Sequence, residues 1–375
     1  MVKILHSADW QMGLRARHVA DVAAAVREAR LAAARNVIQA ANAKRVDAVV
    51  LAGDIFEDNL VEDRLVHAVL GILAECRSPV FILPGNHDAL TPDAVYRRAS
   101  WKQRPAHVRV LDIDAPVPIP GTPAVLLAAP LRQKKGMKDP TSVWCEQPRA
   151  EGIRIGVAHG SLRIPGKHSA DDFPIGPDVV TRAGLDYLAL GHWHGQYIHE
   201  ERAAYAGAHE TTKFDEPGAG RALLVEIAAR GACPDLTPVP TGTLRWGAID
   251  LDLGEGMESE AQRARAWVAK EGPPETLLLR IRTHGVAPEE ATSQLEGLRE
   301  ELLGRGVLSV VVERRDAPRA EVEGRLAEIA ASSPLVGALL EGLAQPLTPG
   351  LTGETEAGRL AARRLLSELV LEAWR

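Results

Sequence analysis

Three things that often announce a protein's class are scarce in this chain of 375 residues. Only three cysteines occur, Cys76, Cys145 and Cys233. They are odd in number and far apart. That argues against a disulfide framework or a cysteine-ligated zinc site, and predicts reduced thiols in a cytoplasmic protein. Long apolar runs are also missing: no stretch approaches the roughly 18 uncharged residues a membrane helix requires. A strand is expected within two residues of Met1, so neither a signal peptide nor a membrane partner is expected. Positive charge is not in excess either. The 44 Lys and Arg face 50 Asp and Glu, for a net charge of −6. A surface coated with basic residues for nucleic acid is therefore excluded, whereas a local basic track is not. Carboxylates gathered around bound metals would lower the net charge without repelling an anionic substrate.

What is present is a globular composition, 46% hydrophobic and 25% charged, in the usual range for a folded domain. Five short apolar runs stand out: Val2–Asp9, Asp47–Asp54, Pro79–Asp88, Ile153–Gly160 and Leu185–His194. Each is rich in Val, Ile, Leu or Ala and stops at Asp, Asn or His beside Gly, or at Asp9 in the first. Such runs read as buried strands. Ala20–Lys44 and Val61–Cys76 carry apolar residues at helical spacing between them. Alternating strands and helices predict an α/β fold with a buried sheet. Further short strands are expected at Tyr197–His199, Ala203–Gly207 and Ala222–Ile227. The Pro/Gly/Thr-rich stretch Pro234–Gly242 reads as a connection between domains. Beyond it, Leu277–Thr283, Pro288–Leu303 and Leu308–Arg314 form a β-α-β pattern. Pro318–Ala344 is expected to be helical with a break near Ser332–Pro334, and Thr355–Trp374 to be a final helix. The expected domains are residues 1–236, 237–317 and 318–375.

The polar ends of the five runs have a common chemistry. Divalent metals accept mixed oxygen and imidazole ligands, and two ions about 3.5–4 Å apart can polarise a phosphodiester and activate water. Asp54 is the natural bridging carboxylate, because Gly53 before it permits close backbone approach. Asn86, His159 and His192 would complete one ion; Asp9, Gln11 and His194 the other. His192 and His194 are two residues apart, so extended backbone puts both imidazoles on one side. His87 is expected to point elsewhere and to act as the catalytic acid or charge stabiliser at the phosphate. Asp88 is expected to be its catalytic partner, fixing its tautomer and orientation. Of the other histidines, His209 is the one best suited to support a ligand.

The five motifs in this order resemble the calcineurin-like metallophosphoesterases, and within them most closely the SbcD-type DNA repair nucleases. Tyr205–Phe214, Gly220–Ile227 and the β-α-β unit at Leu277–Arg314 add to that resemblance, which is strong over residues 1–230, fair to about 315 and weak beyond. It implies a β-sandwich flanked by helices, with a small α+β capping domain and C-terminal helices. It also implies a nuclease using two divalent ions: Mn²⁺ first, with Mg²⁺, Fe²⁺ or Zn²⁺ as alternatives. One position departs from the pattern, because Gln11 stands where the family has histidine. A Gln amide is a poorer ligand than imidazole for transition metals. Gln11 either coordinates through oxygen and retunes the first ion, or holds a metal-bound water, or marks a partly degenerate site.

A DNA partner requires basic residues near the site. Arg15 and Arg17 follow the first motif. Arg97, Arg98, Lys102 and Arg104 follow the third, with Tyr96 and Trp101 positioned for base stacking or core packing. Arg132, Lys134, Lys135 and Lys138 form a dense basic stretch before the fourth run. The resemblance also implies a coiled-coil ATPase of the SbcC kind docked on the C-terminal helices, and a homodimer. Two competing readings are a general phosphodiesterase or phosphatase of the same fold, and a weakly active DNA-binding scaffold subunit permitted by Gln11.

Overall fold

The computed structural model describes residues 1–146, 151–164, 172–287, 290–315 and 317–344, with single positions at 358, 362 and 365. The helix expected over Thr355–Trp374 therefore lies outside the described residues, apart from those isolated positions. The chain divides into two compact units, Met1–Arg245 and Trp246–Arg375.

In the first unit the five apolar runs become five strands: β1 (Val2–Ser7), β2 (Ala48–Ala52), β3 (Val80–Leu83), β7 (Ile153–His159) and β8 (Tyr187–Gly191). They are almost wholly buried, as expected for parallel strands covered on both faces. The helices α1 (Ala23–Lys44) and α2 (Asp63–Ala74) connect the first three. Around them lie β4 (Val108–Val110), β5 (Val117–Pro118), β6 (Ala124–Ala129), α3 (Val179–Arg182), β9 (Tyr197–His199), β10 (Ala203–Tyr205), β11 (Arg221–Ile227) and β12 (Asp235–Pro240).

The strands form two six-stranded sheets, ordered β12-β11-β1-β2-β3-β4 and β5-β6-β7-β8-β10-β9. In the first, β1 to β4 run parallel while β11 returns antiparallel against β1, placing Val2 opposite Ile227. In the second, β6, β7, β8 and β10 are parallel. The two sheets face each other across one apolar layer, in which Ile4, Val50 and Leu83 meet Leu126, Ile155 and Tyr187. The alternate residues of the first sheet, among them Leu5, Val49, Leu51 and Ile82, pack beneath α1 and α2 through Val37, Ile38, Val69 and Leu73. The outer face of the second sheet is closed by Trp144 and α3. The unit is thus a mixed α/β sandwich with helices outside, as the strand–helix alternation implies.

The segment Pro234–Gly242, expected to connect domains, instead carries β12, paired antiparallel with β11 from Arg221↔Pro240 to Glu226↔Asp235. Its prolines disguise a strand as a linker. An edge strand has one side free of ladder bonds, and Pro238 and Pro240 are tolerated there.

The second unit holds β13 (Arg245–Asp252), α4 (Met257–Lys270), β14 (Leu277–His284), β15 (Val286–Ala287), α5 (Ala291–Gly304), β16 (Ser309–Arg314), β17 (Ala317–Pro318), α6 (Arg319–Ser332) and α7 (Pro334–Ala344). β14 and β16 are parallel, with α5 between them in sequence, so the expected β-α-β pattern is present. β13 completes a three-stranded sheet. Its core joins Leu251, Leu279 and Ile281 to Ala264, Leu295, Leu298 and Leu302.

Candidate metal centre

The parallel strands deliver their polar endings to one place. Asp9 follows β1, Asp54 follows β2, Asn86 and His87 follow β3, His159 closes β7, and His192 and His194 follow β8. Ligand-bearing atoms of Asp9, Asp54 and His159, all buried, lie within 4.8 Å of one another. His159 Nε2 is 3.2 Å from Asp54 Oδ2 and 2.9 Å from Asn86 Oδ1. His192 Nδ1 lies 3.3 Å from the same Asn86 oxygen, and the His192 backbone N–H donates to both Asp9 oxygens at 3.1 Å. Residues separated by more than a hundred positions are thus brought into direct contact.

The backbone shows that this place is built under constraint. Asp9 (φ 54°), Gln11 (φ 38°), Asp54 (φ 54°) and His192 (φ 108°) all have positive φ. Such conformations cost about 1–3 kcal/mol each and persist where surrounding structure enforces them, typically at functional sites. The first loop is held to the second by backbone bonds: Asp9 N–H to the Gly53 carbonyl at 3.1 Å, and Gln11 N–H to that of Asp54 at 2.8 Å. Gly53 (φ 98°) has no alternative, because a Cβ there would sit 2.1 Å from His159 Nδ1.

The donor set fits a metal. His159 Nδ1 is 2.9 Å from the Ala52 carbonyl, so that nitrogen carries the proton. Its Nε2 lone pair would then face oxygens of Asp54 and Asn86, an arrangement that needs a proton or a cation between them. Burial pushes the His159 imidazole down, but Asp54 and Asp9 outweigh it and raise it to about 9. Burial pushes Asp54 up, while His159 and His87 pull it down to about 2. Asp9 goes to about 6, raised by burial against the opposing charges of His159 and His194. A divalent ion would supply the positive charge that these oxygens face.

Gln11 is 5% exposed. Its side-chain amide makes no hydrogen bond to another described residue and is not one of the fully buried unpaired groups. His194, the remaining imidazole of that set, has its Nδ1 2.5 Å from Glu216 Oε1. Glu216 is a residue that sequence reasoning missed, because a lone Glu in a loop carries no motif. Burial pushes its carboxyl up, but the His194 and Thr212 bonds hold it at about 2.

The His87 side chain is partly open, 37% exposed. Its Nδ1 is 2.8 Å from the Glu57 carbonyl and its Nε2 is 4.0 Å from Asp54 Oδ2. Asp88 does not orient it, contrary to the sequence expectation. Asp88 is fully buried and accepts Gly85 N–H at 2.8 Å, Ile55 N–H at 2.8 Å, Phe56 N–H at 3.2 Å and the Tyr96 hydroxyl at 2.5 Å. It staples the second loop to the third, and a carbonyl performs the task expected of it. His209 touches no ligand either: it packs on Trp10, ring centres 5.3 Å apart, with Nε2 2.8 Å from the Arg30 carbonyl.

The expected DNA-binding residues separate into two groups. Arg15, Arg17, Arg97, Lys102, Lys134 and Lys135 are exposed. Arg98 is engaged internally, donating to the Val61 and Asn59 carbonyls and pairing with Asp63. Arg132 pairs with Asp114 at 3.3 Å. Tyr96 and Trp101 are buried against Phe56 in edge-to-face contact, which favours core packing over base stacking. Arg97 lines a surface cavity of about 280 Å³ with Arg104 and Arg109. The basic stretch leaves from the flank of the third loop: Leu131 N–H donates to the Pro84 carbonyl and the Leu131 carbonyl accepts from Leu90.

Residues 2–196 match the calcineurin-like phosphoesterase family. The metallophosphoesterase YhaO of Bacillus subtilis (strain 168) is 24% identical over 294 residues, covering 75% of this chain and 70% of that protein. Among solved structures, a protein of Thermus thermophilus aligns at 14% identity and a TM-score of 0.42, over 64% of this chain and 99% of its own. A dimetal phosphatase from Danio rerio aligns at 13% identity and a TM-score of 0.36, over 64% and 99%.

Proposed function

This chain belongs to the calcineurin-like phosphoesterases, and on that premise we propose that it is a Mn²⁺-dependent DNA nuclease of the SbcD kind. Membership makes it a metal-dependent phosphoester hydrolase; the metal and the substrate are our reading. Asn86, His159 and His192 would hold one ion, Asp9, Gln11 and His194 the other, with Asp54 shared between them. The ions would polarise the phosphodiester and activate the attacking water.

The chain's own residues supply the rest. Asp54 is held rigidly, because the His87 backbone N–H donates to its Oδ1 at 2.9 Å. The His87 ring donates through Nδ1 to the Glu57 carbonyl, leaving Nε2, 4.0 Å from Asp54 Oδ2, as the nitrogen free to act. In its charged form that nitrogen gives a proton to the leaving oxygen, which is general acid catalysis. The basic stretch beginning at Arg132 leaves beside the third loop, where Lys134 and Lys135 would contact the phosphates flanking the scissile bond.

The observation that carries the nuclease reading is this placement of dense positive charge, in an acidic chain, on the flank of the ligand cluster. Hydrolysis of single-stranded DNA and of a small aryl phosphodiester, each with added Mn²⁺, tests it. Cleavage of DNA at far higher kcat/KM is expected. Turnover of the aryl ester without DNA cleavage would indicate a general phosphodiesterase, and DNA binding without cleavage a scaffold; either refutes the proposal.

A further inference from the structure

We propose that Glu216 is a positioning residue for the ion held by Asp9, Gln11 and His194, fixing His194 so that Nε2 is the nitrogen presented to it. The inference rests on the two-ion reading of the site and adds a residue to it. His194 Nδ1 lies 2.5 Å from Glu216 Oε1 and 3.2 Å from the Thr212 hydroxyl. An ionised carboxylate can only accept. Nδ1 therefore carries the hydrogen, and the free lone pair is on Nε2.

The carboxylate is itself immobilised. Its side chain is 3% exposed. Oε2 accepts the Thr212 N–H at 2.7 Å and the Lys213 N–H at 3.1 Å, and Oε1 also receives the Thr212 hydroxyl. A group wrapped by its own loop in this way holds a fixed orientation. Partners of this type set the tautomer of a ligating histidine and raise its basicity.

The three candidate imidazole ligands are not held alike. His159 is held at Nδ1 by the neutral Ala52 carbonyl, and His192 faces Asn86 through its own Nδ1. His194 is held at Nδ1 by a carboxylate. It is also the single imidazole of its set, since Gln11 stands in place of a second. Orientation and basicity at His194 therefore bear more heavily on that ion than on its neighbour, which has two imidazoles.

The test titrates Mn²⁺ into the EDTA-treated full-length chain by calorimetry, for wild type, Glu216→Gln and Glu216→Ala. Wild type should take up two ions. Glu216→Ala should bind one of them about 10–100-fold more weakly while the other is unchanged, with Glu216→Gln intermediate. Because Glu216→Ala also strips an acceptor from the Thr212–Lys213 backbone, Glu216→Gln serves as the variant expected to fold normally. On it, ¹⁵N shifts of the neutral His194 ring, recorded in the EDTA-treated chain above the pH at which the ring loses its second proton, should report a loss of the single Nδ1–H tautomer, which a merely structural role would not produce. Unaltered affinity for both ions, or an unchanged His194 tautomer, overturns the inference. A wild type that takes up no Mn²⁺ would instead sink the two-ion reading, and the tautomer measurement would still decide whether Glu216 holds His194.

Discussion

Replacing Gln11 by alanine separates the roles this residue can have. The residue is 5% exposed, and its amide makes no hydrogen bond to another described residue. Truncation to alanine removes one methylene, Cγ, a loss of about 0.8 kcal/mol, together with an amide that has no protein bond to lose. The stability of the EDTA-treated protein should therefore fall by only about 1 kcal/mol, which for a unit of this size is under roughly 4 °C in Tm. Metal binding should behave differently. If the amide oxygen is a ligand, Gln11→Ala should lose one of two Mn²⁺ ions when dialysed against limiting metal, as read by elemental analysis. Two ions retained at wild-type affinity would show that Gln11 does not coordinate. A much larger fall in the Tm of the EDTA-treated protein would show that the side chain is structural.

Four other outcomes follow from the structure, one of them from His6, which is buried in β1 with Nδ1 2.9 Å from the Tyr187 hydroxyl. His87→Ala should abolish cleavage while leaving bound metal unchanged; lost metal would mean that its role was misassigned. Burial holds His6 neutral, at about 3 against the ordinary 6.5. The unfolded chain therefore binds the extra proton, and this contribution is full above about pH 6.5 and lost progressively as pH falls toward 3. Urea unfolding of metal-free protein should show wild type losing about 2 kcal/mol more than His6→Gln between pH 7 and pH 5; parallel losses would contradict this. Gly53→Ala, which forces a Cβ onto His159 at a positive φ, should cost about 2–5 kcal/mol, measured as a lower Tm, and should disrupt metal uptake as well. Arg98→Ala should destabilise by about 1–3 kcal/mol, whereas Arg97→Ala should leave Tm unchanged and lower the salt dependence of DNA binding by about one unit; the reverse pattern would show the two arginines had been assigned the wrong way round.

The site was legible because parallel strands buried on both faces write themselves as continuous apolar runs, and a polar residue at the end of such a run stands out. β1, β2, β3, β7 and β8 could therefore be found together with the residues they carry. β6 (Ala124–Ala129) is just as apolar, yet it ends at Pro130 and so offered no chemical signal. Neighbours in the sheet were beyond reach, since nothing local tells β1 that its antiparallel partner is β11. Asp88 was misread for a related reason. Adjacency to His87 suggested a pair, but consecutive residues of a tight loop point apart, and the buried carboxylate met backbone N–H groups from Ile55 and Phe56. Glu216 was invisible because its meaning lies in a contact with His194, 22 residues away, rather than in any pattern. The positive φ at Asp9, Gln11, Asp54 and His192 is enforced by tertiary bonds and leaves no mark in residue type.

The pairing of β1 with β11, Val2 opposite Ile227, also dictates when this protein can begin to work. The strand made first waits for one of its two neighbours until more than two hundred further residues have been joined. At about 5–20 residues per second, that wait is on the order of 10–45 s. Throughout it Asp9 is already synthesised, while His192, His194 and the loop that holds His194 are still to come. A nascent chain is therefore inert until His194 and the loop that holds it have emerged, and it becomes able to gather its ligands only as the last strands of the first unit form.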